Sequence, residues 1–367
     1  MVKRCFRKTA FLGLCLLLAV IWSGCSRTEE TVEKPDSPPE VRVWLNREGK
    51  DDYQEPEPSR EGMARSPLSG LWIPEEDAAR RPVSVMINNM KKALPQSGIS
   101  QADIVYETLA EGEITRLLAV FQTLDSEKIG PVRSARHYYL DFAFDHDALY
   151  VHYGGSPRAY NDVVVLKSPA LNGLSYLDEI MCWRDPQRMA IRGMYEHSVY
   201  TNGEKLRKAW DTVGYRYETD QPPMFTFSEK PVELTGERAE TVLLPFSRSY
   251  IGEFRWDPVL NQYLRSMSGT EQIDEETGEV LQATNLLVQF TDIWVIAGDT
   301  AGRRDMTLIG SGEGLYITGG KMVPVRCSKA DHWTSTRWTL ESGEPLVMSP
   351  GKTWISVFPK NRSIEIS

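Results

Sequence analysis

Cysteine and histidine are scarce, with five of each in 367 residues. Cys5 and Cys15 lie in the first 24 residues and Cys25 directly follows them, so only Cys182 and Cys327 belong to the body of the chain. Two cysteines so far apart exclude a disulfide framework. What stays open is a pair of buried, small apolar residues or a single bridge between two domains. The nucleophile and metal signatures Gly-x-Ser-x-Gly, His-Glu-x-x-His and Cys-x-x-Cys are absent. After Cys25 no apolar run approaches the roughly 20 residues that a membrane-spanning helix needs. Positive charge is also short. Four basic residues lie in the first 24, so the 42 basic residues of the whole chain become 38 against 51 acidic ones once that segment is removed. Such a balance argues against nucleic acid as a partner and against adhesion to anionic lipid through a basic face.

The N-terminus carries the clearest signal. Lys3, Arg4, Arg7 and Lys8 precede an apolar stretch from Phe11 to Trp22, and Ser23-Gly24-Cys25 follows. This reads as a signal peptide over 1–24 whose cleavage leaves Cys25 as a lipid-modified first residue. Trp22 stands where such a box usually carries an aliphatic, which keeps an ordinary signal or anchor as the alternative. Each buried methylene contributes about 0.8 kcal/mol, so two or three acyl chains on Cys25 would hold the protein on the membrane. The expected location is the outer face of the cell membrane. Residues 25–66, rich in Pro and acidic residues, read as a flexible tether with a reach of roughly 35 Å.

Ordered structure is expected from near Leu68, in an α+β fold of two domains. Over 67–220 strands and helices mix. Pro82 to Asn88 reads as a strand, and Ile104–Leu109 and Ile114–Phe121 read as a hairpin about Glu111-Gly112. A helix is expected from Ser134 to about Asp147, a strand over Leu149–Tyr153, and helices over Pro157–Leu166 and Glu204–Trp210. Over 221–367 only short strands and glycine-rich turns appear, which points to an all-β domain, either a sandwich or a partly open barrel.

Arg133 and Arg136, in Gly-Pro-Val-Arg-Ser-Ala-Arg, would share one face of the helix expected there, close to its N-terminus. Arg184, Arg188 and Arg192 follow at four-residue spacing. Arginines grouped in an acidic chain can hold a carboxylate or phosphate, such as a peptidoglycan stem peptide or a teichoic acid would offer. The competing reading is internal pairing with Glu107, Glu111, Asp141 or Asp185. The candidate ligand site is therefore Arg133, Arg136 and Arg184, with Tyr153 and the Gly154-Gly155 loop nearby, on a binding or regulatory module for an anionic wall component or an envelope protein. An enzyme reading, a wall hydrolase or transferase using Glu107 or Glu111 with His152, stands against it. A third has the β domain dock another envelope protein through an edge strand. Asp145-His146-Asp147 with His137 and His152 matches no metal motif, and no metal or cofactor is assigned. Ser349-x-x-Lys352 falls in a Pro-Gly turn, and Gly310-Ser-Gly-Glu-Gly314 precedes a strand, so neither reads as a site.

Several of these segments together resemble the YerB-like lipoproteins, an envelope family of unknown function. They are Arg81–Asn89, Pro95–Glu107, Glu111–Arg116, Ile129–Arg136, Tyr150–Pro157, Trp183-Arg184-Asp185 and Gly351–Pro359. The resemblance implies an exported two-domain lipoprotein with a mixed N-terminal and a β C-terminal domain, and it implies no catalytic residue. The sequence departs from the family's pattern at Glu196-His197-Ser198, where Pro-His-Asn is usual, and at Arg326-Cys327.

Overall fold

The computed structural model describes residues 60–367. The expected signal peptide, Cys25 and the expected tether up to residue 59 lie outside the described residues. Order begins ahead of Leu68, because Met63–Arg65 already pairs with Trp72–Pro74.

An 11-stranded sheet organises the molecule. Its strands in chain order are β1 (Val83–Asn88), β2 (Ile104–Leu109), β3 (Thr115–Phe121), β4 (Leu149–His152), β5 (Ala170–Asn172), β6 (Glu237–Arg238), β7 (Asn285–Thr291), β8 (Gly310–Thr318), β9 (Lys321–Lys329), β10 (Arg337–Leu340) and β11 (Thr353–Pro359). Across the sheet the order is β6-β9-β8-β7-β11-β2-β3-β1-β4-β5, with β10 also on β9. The last strand, β11, is thus central. It lies parallel to β7 on one side and to β2 on the other, joining strands from both halves of the chain. Both ends of the sheet are very short strands, which leaves little free edge for another chain to extend.

The sequences of β1, β2, β3 and β11 are nearly continuous apolar runs because both of their faces are covered. Alternate residues supply two cores. Val85, Ile87, Leu117 and Ala119 pack with helix α3 (Gly203–Val213) and with a second, six-stranded sheet that includes Thr241–Pro245, Ile251–Asp257 and Gln262–Met267. Met86, Tyr106, Leu118 and Val120 pack with helix α1 (Tyr139–Phe144), Phe225 and Trp338. The molecule is α+β, with a strand-rich C-terminal half, as the sequence predicts.

A buried ion pair ties the two sheets. Arg265, on the six-stranded sheet, donates to Glu107 of β2 at 2.7 Å, and the two side chains are 0% and 1% exposed. Thr115 at 2.8 Å and the Trp354 indole at 3.2 Å also donate to that carboxylate. Gly252 makes room for the guanidinium, since a Cβ there would lie 2.4 Å from it.

Candidate cleft at the ends of the parallel strands

Strands β1, β4 and β5 run parallel. Beyond the carboxyl ends of β4 and β5 the chain opens into a cleft of about 380 Å³, in the position where open α/β sheets bind their ligands. Its walls come from four segments: Val132–Ser134, Tyr153–Gly155, the Leu174 turn, and the stretch holding Arg184, Tyr195 and Glu196. Five of the six residues expected from the sequence, Arg133, Tyr153, Gly154, Gly155 and Arg184, meet here.

The wall from β4 is set by backbone geometry. Gly154 takes a φ of +75°, which suits a residue without a Cβ, and its N–H is donated to the Asn172 side chain at 3.0 Å. His152 contacts the Gly154 carbonyl through Nδ1 at 2.7 Å. Burial pushes its imidazole down to about 4, so at neutral pH the ring is uncharged and Nδ1 carries the donated proton. Helix α2 (Pro157–Val165) starts immediately afterwards, with Ser156 as N-cap accepting from the Ala159 N–H at 3.2 Å. Tyr160 of α2 faces the same cleft.

Arg184 is held flat. Its guanidinium lies 3.8 Å from the ring centre of Tyr195 and 5.3 Å from that of Tyr153, and it donates to the Tyr195 carbonyl at 2.8 Å. A planar cation stacked on aromatic faces loses little freedom when it meets an oxyanion. Arg133 donates to the Glu196 carboxylate at 2.8 Å and to its carbonyl at 3.2 Å. Glu196 itself is 70% exposed, and the hydrogen bond and charge of Arg133 hold its carboxyl below the usual range.

Arg136 does not join them. The segment 132–135 is extended, its backbone bridging Ile87, Val199 and Gly154–Gly155, and helix α1 begins only at Tyr139. Residues three apart in an extended chain point to opposite sides, so the shared helical face expected for Arg133 and Arg136 does not form. Arg136 turns inward and donates to Glu111 at 2.8 and 2.5 Å, beside Arg116 at 2.6 Å. For this arginine the internal pairing reading is the correct one. Arg188 is buried on the Ala93 and Pro95 carbonyls.

The carboxylates of the enzyme reading are likewise occupied. Glu107 is sealed in its ion pair, Glu111 is gripped by two arginines, and His152 is buried against Gly154, so the three do not line an open site. The remaining histidines and their neighbours are spoken for in the same way. Asp145 binds Lys329, His146 contacts the Tyr106 hydroxyl, and His137 contacts Asp305. Among the described residues no group of three potential metal ligands converges. Cys182 and Cys327 are both buried and free. Gly310–Gly314 does not precede the strand but is itself the opening of β8. Sequence spacing gave no hint of Tyr195, Glu196, Tyr160 or Leu174, because they reach the cleft only through the packing of separate loops.

An α+β chain whose two halves share one sheet, with an arginine and tyrosine cleft at the strand ends, defines the class. Two described domains match it: the N-terminal domain of the protein of unknown function DUF3048 over residues 68–216, and its C-terminal domain over 242–355. The chain belongs to this DUF3048, YerB-like family. It is 33% identical over 311 residues to a Bacillus subtilis (strain 168) protein named as lipoprotein YerB, covering 83% of this chain and 88% of that one. The crystal structure of B. subtilis YerB matches with a TM-score of 0.73 at 33% identity, over 83% of this chain and 99% of that one.

Proposed function

We propose that this protein is a lipid-anchored, extracytoplasmic binding module that recognises an anionic component of the cell wall through Arg133 and Arg184. The observation that carries the reading is the cleft itself. Two arginines from distant segments converge on solvent at the carboxyl ends of parallel strands, one of them stacked on tyrosines. The acidic side chain lining it is the exposed Glu196, and swinging it aside would free Arg133 for a ligand carboxylate or phosphate, while Asp178 stands behind the wall on the Tyr153 hydroxyl at 2.9 Å. Support for the membrane anchor comes from the sequence around Cys25 and from the lipoprotein name of the B. subtilis relative.

The test is sedimentation of residues 60–367 with purified peptidoglycan sacculi, prepared with and without wall teichoic acid. The wild type is expected to pellet. The Arg133→Ala/Arg184→Ala variant is expected to stay in the supernatant with an unchanged melting temperature, whereas Arg136→Ala should lose stability instead. Equal pelleting of wild type and double variant would refute the site, and the sacculus type that binds identifies the anion as stem-peptide carboxylate or teichoic phosphate.

A further inference from the structure

A second depression, of about 640 Å³, lies at the far end of α2 between the segment 220–226 and the loop 331–338. Its outstanding feature is Trp333, 55% exposed, with its indole N–H tied to the Leu166 carbonyl at 3.3 Å. The ring's polar edge is thus already satisfied and a face is left to solvent. The loop that carries this exposed indole is braced. One Asp331 oxygen accepts from the Trp333 N–H at 2.9 Å and from the N–H and hydroxyl of Thr334, both at 2.8 Å. Beneath it, buried Lys329 donates to the Thr334 carbonyl at 2.7 Å and to Asp145 at 2.6 Å, and Asp145 also accepts from the Thr336 N–H at 2.8 Å. Such a scaffold holds the indole in one place, as a binding platform requires.

We infer that this groove is a saccharide-binding site, with the Trp333 ring as its stacking platform. Three features select that ligand class. A pyranose ring presents C–H groups of slight positive charge, which match the negative face of an indole. Around the aromatic floor stand Arg216, Arg337, Asp147, Asp220, Gln221 and Thr334. Arg216 pairs with Asp147 at 2.6 Å and lies 3.6 Å from Asp220, so these charges offset one another, as suits a neutral polyhydroxyl ligand. The Gln221 amide N–H and the Thr334 hydroxyl proton are already donated, to the Phe144 carbonyl and Asp331, which leaves their oxygens as acceptors beside the exposed donor Arg337. The Pro222-Pro223 segment, whose φ angles are fixed by the two rings, forms part of the wall. A peptide adding itself as a strand is disfavoured, because the β10 backbone there is already paired: the Leu346 N–H is donated to the Trp338 carbonyl at 3.0 Å and the Leu340 N–H to the Glu344 carbonyl at 2.9 Å. The site is independent of the arginine cleft.

The experiment titrates the full-length chain in detergent with tetramers of β-1,4-linked N-acetylglucosamine, glucose and mannose by calorimetry. At least one tetramer is expected to bind saturably, Trp333→Ala to weaken it by about tenfold, and Arg337→Ala to weaken it with an unchanged melting temperature. Arg133→Ala/Arg184→Ala should leave this binding untouched, so failure of the cleft and failure of the groove are read separately. Absence of saturable binding to all three tetramers, or equal affinity in the wild type and both groove variants, would overturn the assignment. Tight binding of a proline-rich peptide with no saccharide binding would overturn it too.

Discussion

Glu107 and Arg265 show what one pair of residues does in this molecule. Both charges are out of water, and each is worth keeping only because the other is present. Removing one leaves a buried, unpaired charge, so Glu107→Ala should cost about 3–5 kcal/mol in a urea titration. A loss below about 1 kcal/mol would mean that water reaches the pair. Glu111 makes a pH-dependent version of the same argument. Burial pushes its carboxyl up, but Arg116 and Arg136 together outweigh burial and bring it down to about 2 from an ordinary 4.5. A lowered carboxyl stabilises the folded state above its unfolded pKa, and that contribution is lost as pH falls through the folded one. Glu111→Gln should therefore be less stable than the wild type by about 3 kcal/mol at pH 7. The gap should close between pH 4.5 and about 2. A gap that stays constant with pH would show that the two arginines do not act on the carboxylate's charge.

At the scale of elements, helix α2 joins the two candidate sites. Its first turn borders the arginine cleft through Tyr160, and its C-terminal Leu166 carbonyl receives Trp333. Ser156→Ala removes the N-cap and should cost about 1 kcal/mol, with weakened sacculus binding from the loosened Gly154–Tyr160 corner. Unchanged stability would show that Pro157 alone sets the start of the helix. Strands β1 to β4 and the helices α2 and α3 were legible from apolar runs and periodicity, because those signals are local, whereas β5, β6, β9 and β10 were not expected. The segment Ile129–Arg136 was not legible either. Its residues suit a helix start, yet its backbone N–H and C=O groups are taken by Met86, Val199 and Gly154, partners remote in sequence. The helix expected there put Arg136 in the ligand site, whereas the competing reading of internal pairing already included its partner Glu111.

For the whole molecule, the decisive element is β11. Thr353–Pro359 is entirely buried and pairs with β2 from the first half and β7 from the second. The two family regions should therefore melt in one calorimetric transition, and a chain ending at Lys352 should lack a cooperative transition altogether. Two separate peaks in the intact protein would contradict this coupling. By itself the sequence determined the local facts: an exported-looking N-terminus, an acidic body, the α+β class, and the arginines, tyrosine and glycines worth watching. Only the tertiary structure decided which arginines face water, which carboxylates are spent on ion pairs, and that Trp333 stands exposed on a fixed loop. The physical reason is that charge pairing and exposure depend on neighbours tens to hundreds of residues away, which periodicity and spacing do not register.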